Sequence, residues 1–117
     1  MMKILFVENH STFAETVTSR FLSAYTVVVA PTVLEALDLL RQETFDVALV
    51  DYDLDDFKGD AFVRRLREME RTTPVVAVSA HDDGNAALVA AGANAICAKG
   101  EFAHIGEVLQ QIVERSP

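Results

Sequence analysis

Apolar and polar residues occur in alternating blocks along this chain, and the blocks predict strands and helices in turn. Five short apolar runs, rich in valine, isoleucine and alanine, lie at residues 3–7, 25–30, 47–50, 74–78 and 95–98. They have almost no polar alternation, which is typical of strands covered on both faces in a parallel sheet. The sequence therefore predicts five buried parallel strands.

The segments that follow these runs carry apolar residues at helical spacing. Residues 12–15 and 32–35 each begin with Thr and end with Glu, which fits a capping box at the start of the first two helices. We expect three more helices at 60–70, 84–91 and 102–114, with Gly92 as the stop signal of the fourth. Five strand–helix repeats predict right-handed crossovers and a doubly wound α/β sheet in one domain, residues 1–117.

Charge and cysteine content narrow the classes of function. The chain of 117 residues has 18 acidic and 10 basic side chains and a formal charge of −8, which disfavours direct binding to nucleic acid or an anionic membrane. The single cysteine, Cys97, excludes a disulfide framework. No apolar run reaches the roughly 18 residues of a membrane span. We expect a cytoplasmic domain.

Polar residues follow the predicted strands at the edge where doubly wound sheets bind their ligands. They are Glu8, Asn9, Asp51, Asp53, Ser79 and Lys99. Carboxylate and carbonyl oxygens suit a hard cation such as Mg²⁺. A lysine and a hydroxyl suit the oxygens of a phosphoryl group, and an aspartate can itself accept that group.

The order and spacing of these segments resemble the receiver domain of the response-regulator family over essentially the whole chain. The segments that carry the resemblance are Val7-Glu8-Asn9, residues 46–51, Gly59, residues 74–80, Ala91-Gly92-Ala93 and Lys99. The resemblance implies a flavodoxin-like sandwich of five βα units, with a parallel sheet of strand order 2-1-3-4-5 and helices on both faces.

The resemblance also implies a role for each residue of the predicted metal site. Asp51 would be the phosphoacceptor and a ligand of Mg²⁺. Glu8 and Asn9 stand where the family keeps an acidic pair that holds the metal. Asp53 would contribute its backbone carbonyl.

Two further residues and the partners follow from the same resemblance. Ser79 would bond the phosphoryl group and shift on phosphorylation, and Lys99 would pair with Asp51 or its phosphate. The phosphodonor would be a sensor histidine kinase or a phosphotransfer protein. The output would act on a downstream protein or an attached effector, and a homodimer is left open.

The sequence departs from the family pattern at several positions. Asn9 brings no charge, so we expect weaker Mg²⁺ binding. Ile96 replaces the aromatic switch residue. Gly100 replaces a proline, so we expect a trans peptide after Lys99 and a displaced ammonium group. Asp55 also replaces a proline, and the resulting acidic loop is expected to repel an anionic phosphodonor. The segment 79–92 is shorter than the resemblance implies.

These departures leave alternatives open. The first is a degenerate receiver that binds a protein partner independently of phosphorylation. The second is a phosphatase, because Asp51-Tyr52-Asp53 mimics the Asp-x-Asp of haloacid-dehalogenase-type enzymes. Those enzymes carry the pair after the first strand, so we expect no enzyme. A flavodoxin is disfavoured because residues 8–14 contain no glycine to approach a cofactor phosphate.

Overall fold

The structure is a computed structural model that describes residues 2–115, with side chains through residue 113. In chain order its elements are β1 (Lys3–Val7), α1 (Ser11–Phe21), β2 (Thr26–Ala30), α2 (Val33–Gln42), β3 (Val47–Val50), α3 (Gly59–Glu68), β4 (Val75–Ala77), α4 (Asp82–Ala91), β5 (Ala95–Ile96) and α5 (Ile105–Arg115). A 3-10 segment, Lys99–His104, precedes α5. Within the described residues, no helix combines the length and apolar character needed to cross a membrane.

The five strands form one parallel sheet in the order β2-β1-β3-β4-β5. Successive side chains of a strand point to opposite faces, and β1 shows the consequence. Leu5 and Val7 pack in the core beneath α2, α3 and α4, whereas Ile4 and Phe6 pack in the core beneath α1 and α5. The predicted doubly wound fold and strand order are confirmed.

The first two helices begin differently from each other. The predicted capping box at 12–15 is wrong, because α1 starts at Ser11 and His10 is the N-cap. The imidazole Nδ1 of His10 accepts the amide of Phe13 at 3.3 Å. The N-cap of α2 is Thr32 as predicted, and its hydroxyl accepts the amide of Glu35 at 3.1 Å.

The remaining boundaries differ from the predictions by a few residues. Helix α3 ends before Glu70, which adopts a left-handed conformation with φ 59°. Helix α4 begins earlier than predicted because His81 is extended and accepts the amide of Asn85. Gly92 ends α4 with φ 126°, as predicted. The strands β1 and β3 match the predicted runs, whereas β2, β4 and β5 are shorter than theirs. The 3-10 segment occupies the start of the predicted fifth helix.

Candidate functional site

Glu8 directly follows β1 and brings a carboxylate into the interior. Its amide donates to the carbonyl of Ala30, and its surface is 1% exposed. Oε2 accepts the amide of His10 at 3.0 Å, and Oε1 lies 2.9 Å from Nζ of Lys99. Burial raises the pKa of Glu8, the hydrogen bond from Lys99 opposes that shift, and the charge of Asp51 adds to it.

Asp51 follows β3, the strand next to β1, and its surface is 4% exposed. Its amide donates to the carbonyl of Val7, so the ladder between the two strands extends to the site. Oδ1 accepts the amide of Tyr52 at 2.8 Å, and Oδ2 accepts from Nζ of Lys99 at 3.2 Å. One ammonium group thus bridges the two buried carboxylates of Glu8 and Asp51.

Lys99 is held in place by these charges and by an aromatic ring. Burial alone would lower the pKa of Lys99, but Glu8 and Asp51 outweigh it and raise the pKa. Nζ lies 4.7 Å from the ring centroid of Phe13, which packs edge-on against Phe102. The ammonium therefore stays charged at neutral pH, with a cation–π contact beside its two ion pairs.

Of the two predictions that followed from Gly100, the trans peptide is confirmed and the displaced ammonium group is wrong. The described peptide bonds include no cis bond, so the peptide after Lys99 is trans as predicted. The predicted displacement of the ammonium is wrong, because Nζ contacts both Glu8 and Asp51. The 3-10 turn that begins at Lys99 directs the side chain to the site without a cis proline.

Ser79 follows β4, the next strand in the sheet, and is 1% exposed. Its hydroxyl accepts the amide of His81 at 3.1 Å. The side chain of Asn85 holds the backbone of Ser79 on both sides: Oδ1 accepts the amide at 2.9 Å and Nδ2 donates to the carbonyl at 3.0 Å. A Cβ on Gly84 would lie 2.7 Å from the Ser79 hydroxyl oxygen, so only glycine lets α4 approach this closely.

Asn85 was missed by the sequence analysis. It is 3% exposed and lies three residues before the buried Leu88, on the inner face of α4. A single amide on the apolar face of an alanine-rich helix is a usable signal, since buried polar groups need hydrogen-bond partners. Its partner, the Ser79 backbone, belongs to another element and is not visible in the sequence.

The loop between β3 and α3 carries three carboxylates beyond Asp51, and two of them pair with side chains. Asp53 accepts from Nζ of Lys58 at 2.7 Å, and this bond lowers the pKa of Asp53. Asp55 accepts from Nδ2 of Asn9 at 2.9 Å. Asn9 therefore contacts the acidic loop, and the carboxylate of Asp53 is paired with Lys58.

The third carboxylate, Asp56, joins this loop to the start of α2. Its oxygens accept the amides of Val33 at 2.9 Å and Leu34 at 3.0 Å, and also the amide of Phe57. Burial acts to raise the pKa of Asp56, but these amides outweigh it and the pKa is lowered. Asp56 is thus a helix cap supplied from a distant loop.

The oxygen donors at this edge of the sheet are of the type that binds a hard cation, but together they carry little net negative charge. Carboxylates, amide oxygens and backbone carbonyls are the ligands Mg²⁺ takes, and Glu8, Asn9, Asp51 and Asp53 carry groups of these kinds. Among the side chains of residues 2–113, however, no three from His, Cys, Asp or Glu are grouped to hold a metal. A cation here would depend on the Asn9 amide, because the charge of Lys99 offsets one of the two buried carboxylates.

Comparison with known proteins identifies the family. The family described as response regulator receiver domain matches residues 4–111. The chain therefore belongs to the response regulator receiver domain family, whose members are signalling domains. No curated protein matches the sequence.

Solved structures show the same fold. A putative response regulator from Chloroflexus aurantiacus is similar at TM-score 0.89 and 25% identity, covering 97% of this chain and 98% of that one. The Francisella response regulator 1452 receiver domain gives TM-score 0.88 at 21% identity, with both chains fully covered. Chemotaxis response regulator CheY4 of Vibrio cholerae gives 0.85 at 24% identity, over 96% of this chain and 98% of that one.

Proposed function

We propose that Asp51 accepts a phosphoryl group from a sensor histidine kinase or a phosphotransfer protein, with Mg²⁺ bound. The observation that carries the proposal is the ammonium of Lys99 bridging the buried carboxylates of Glu8 and Asp51. Phosphoryl transfer depends on positioning and charge neutralisation. A buried aspartate beside a fixed positive charge meets both needs.

In the transfer, a carboxylate oxygen of Asp51 forms a P–O bond while the P–N bond of the donor phosphohistidine breaks. The bonding electron pair leaves with the imidazole nitrogen. Lys99 offsets negative charge on the phosphoryl oxygens, which favours the transition state. Mg²⁺, when bound, supplies further positive charge to the same oxygens. Glu8, Asn9, Asp51 and the carbonyl of Asp53 would hold it.

Ser79 would transmit the effect of phosphorylation at Asp51 to α4. Its hydroxyl proton is free to donate to a phosphoryl oxygen while the hydroxyl oxygen accepts from His81, the N-cap of α4. Movement of the hydroxyl would shift the start of α4 and so change what a downstream protein or attached effector binds. Ile96 is 49% exposed and aliphatic, so this route does not use an aromatic ring. We place the domain in the cytoplasm, without direct nucleic-acid contact.

The test is intact mass spectrometry after incubation with acetyl phosphate, with and without Mg²⁺. We expect one phosphoryl adduct that requires Mg²⁺ and is absent in Asp51→Asn. Asp53→Asn is the matched control, because it neutralises the second carboxylate of Asp51-Tyr52-Asp53 but keeps the backbone carbonyl of residue 53. This variant should still be labelled. An adduct that persists in Asp51→Asn would overturn the assignment of the phosphoacceptor.

A degenerate receiver is the second candidate, and Asn9 is the observation that favours it. With a neutral amide at this position, the site lacks one metal-binding charge. No adduct, together with no Mg²⁺ binding by calorimetry, would support this candidate. Mg²⁺ binding without an adduct would instead indicate that the domain requires its own kinase.

A further inference from the structure

The hydrogen bond between Asn9 and Asp55 joins two loops at the site. Nδ2 of Asn9 donates to Oδ1 of Asp55 at 2.9 Å, although the residues are 46 positions apart. An ionised carboxylate only accepts hydrogen bonds, so the amide nitrogen of Asn9 must face it. The amide oxygen of Asn9 lies on the other arm of the planar group and is directed away from Asp55.

We propose that Asp55 is a positioning residue for the Mg²⁺ site. It fixes the orientation of Asn9, so that the amide oxygen rather than the nitrogen is available as a metal ligand. Its carboxylate also places a negative charge next to Asn9, whose amide is neutral. The inference rests on the proposed function, because it concerns the metal that phosphoryl transfer would use.

The charges of the site support this role. Lys99 contacts both Glu8 and Asp51, so these three side chains together carry one net negative charge. Asp55 adds a second within hydrogen-bond distance of Asn9. Outer-shell partners of metal ligands commonly change metal affinity by roughly 10–100-fold. Asp55 is exposed, so we expect the lower end of this range.

The other carboxylates of the loop are not available for this task. Asp53 is paired with Lys58, and Asp56 accepts backbone amides at the start of α2. Of the three carboxylates that follow Asp51 in the loop, Asp55 is therefore the one bound to Asn9.

Calorimetric titration with MgCl₂ tests the role directly. We expect Asp55→Ala to weaken Mg²⁺ binding about tenfold, because charge and orientation are both lost. Asp55→Asn keeps an acceptor oxygen for Asn9 and removes only the charge, so its loss should be smaller. The control is Asp83→Asn, which removes an exposed carboxylate from the first turn of α4 and should leave the affinity within about twofold.

A double-mutant cycle separates pairing from general electrostatics. In an Asn9→Ala background, Asp55→Ala should cost clearly less than in the wild type. The Mg²⁺ concentration for half-maximal labelling by acetyl phosphate should rise in Asp55→Ala, while the labelling rate at saturation does not fall. Unchanged Mg²⁺ affinity in Asp55→Ala, with normal wild-type binding, would overturn this inference alone. No Mg²⁺ binding by the wild type would overturn it together with the metal dependence in the proposed function.

Discussion

Arg67 connects several segments at the edge of the sheet opposite the candidate site. Its guanidinium donates to the carbonyls of Gly92, Arg71 and Thr73 and to the side chain of Asn94. These bonds join α3 to the segments before β4 and β5. A planar guanidinium can serve acceptors on several sides at once, which a lysine ammonium cannot do in the same geometry.

We expect Arg67→Ala to lower the free energy of unfolding by about 3 kcal/mol, because several partly buried acceptors lose a charged donor. Arg67→Lys should recover only part of this loss. The matched control is Arg65→Ala on the same helix, where the exposed ion pair with Glu68 at 3.6 Å predicts less than about 0.5 kcal/mol. Urea unfolding measures all three. Equal losses for Arg67→Ala and Arg65→Ala would contradict the structural role.

At the scale of single residues, the sequence predicts where the residues of the site lie better than it predicts their hydrogen-bond partners. Glu8, Asp51, Ser79 and Lys99 could be found because each follows an apolar run that predicts a strand, and parallel strands end at one edge. The partners of Asn85 and of Arg67 lie on other elements, and no local pattern encodes those contacts. Asp53, Asp55 and Asp56 are exposed, and each nevertheless has a specific hydrogen-bond partner that no local pattern encodes.

At the scale of elements, periodicity predicts existence and order, whereas tertiary contacts decide the ends. Helix α2 illustrates this, because Thr32 caps one amide and Asp56, from the loop after β3, caps two others. Glu70 is another case: it ends α3 in a left-handed conformation without a glycine signal. Five correct strand–helix repeats nevertheless sufficed to predict a doubly wound sheet, because few topologies satisfy right-handed crossovers. The strand order followed from the family resemblance.

Asp56→Ala should destabilise the domain by about 1 kcal/mol, as expected for the loss of a helix cap. The pKa of Asp56 is lowered in the folded state, so its contribution is present above the ordinary value of 3.8 and is lost as the pH falls further. The difference from wild type in urea unfolding should therefore fade below pH 3.8. Asp38→Ala, which removes an exposed ion pair on α2, is the control. A difference that persists at low pH would rule out the carboxylate as the cap.

At the scale of the whole molecule, the sheet separates two apolar cores and gathers charge at one edge. The chain has a formal charge of −8, and the acidic loop after β3 lies beside the candidate site. The phosphodonor that we propose for this site is itself an anion. The positive charge of Lys99 is largely neutralised by its ion pairs with Glu8 and Asp51. An approaching phosphodonor therefore meets a repulsive field, which salt screens.

With saturating Mg²⁺, the rate of labelling by acetyl phosphate should rise several-fold between about 0.05 M and about 0.5 M ionic strength. Asp55→Asn should raise the rate at low salt and flatten this dependence. The single variant is preferable to neutralising Asp56 as well, because Asp56 caps α2. Time-resolved intact mass gives the rates. A rate that falls with added salt would show that attraction, not repulsion, governs the encounter.

The two hydrogen bonds between Asn85 and the backbone of Ser79 have a kinematic consequence. With its amide and carbonyl both fixed to one side chain of α4, the serine main chain has few degrees of freedom independent of that helix. Ser79 and the first turns of α4 would then translate as a rigid body, while the hydroxyl alone rotates. Any displacement large enough to move this backbone would therefore carry the start of α4 with it.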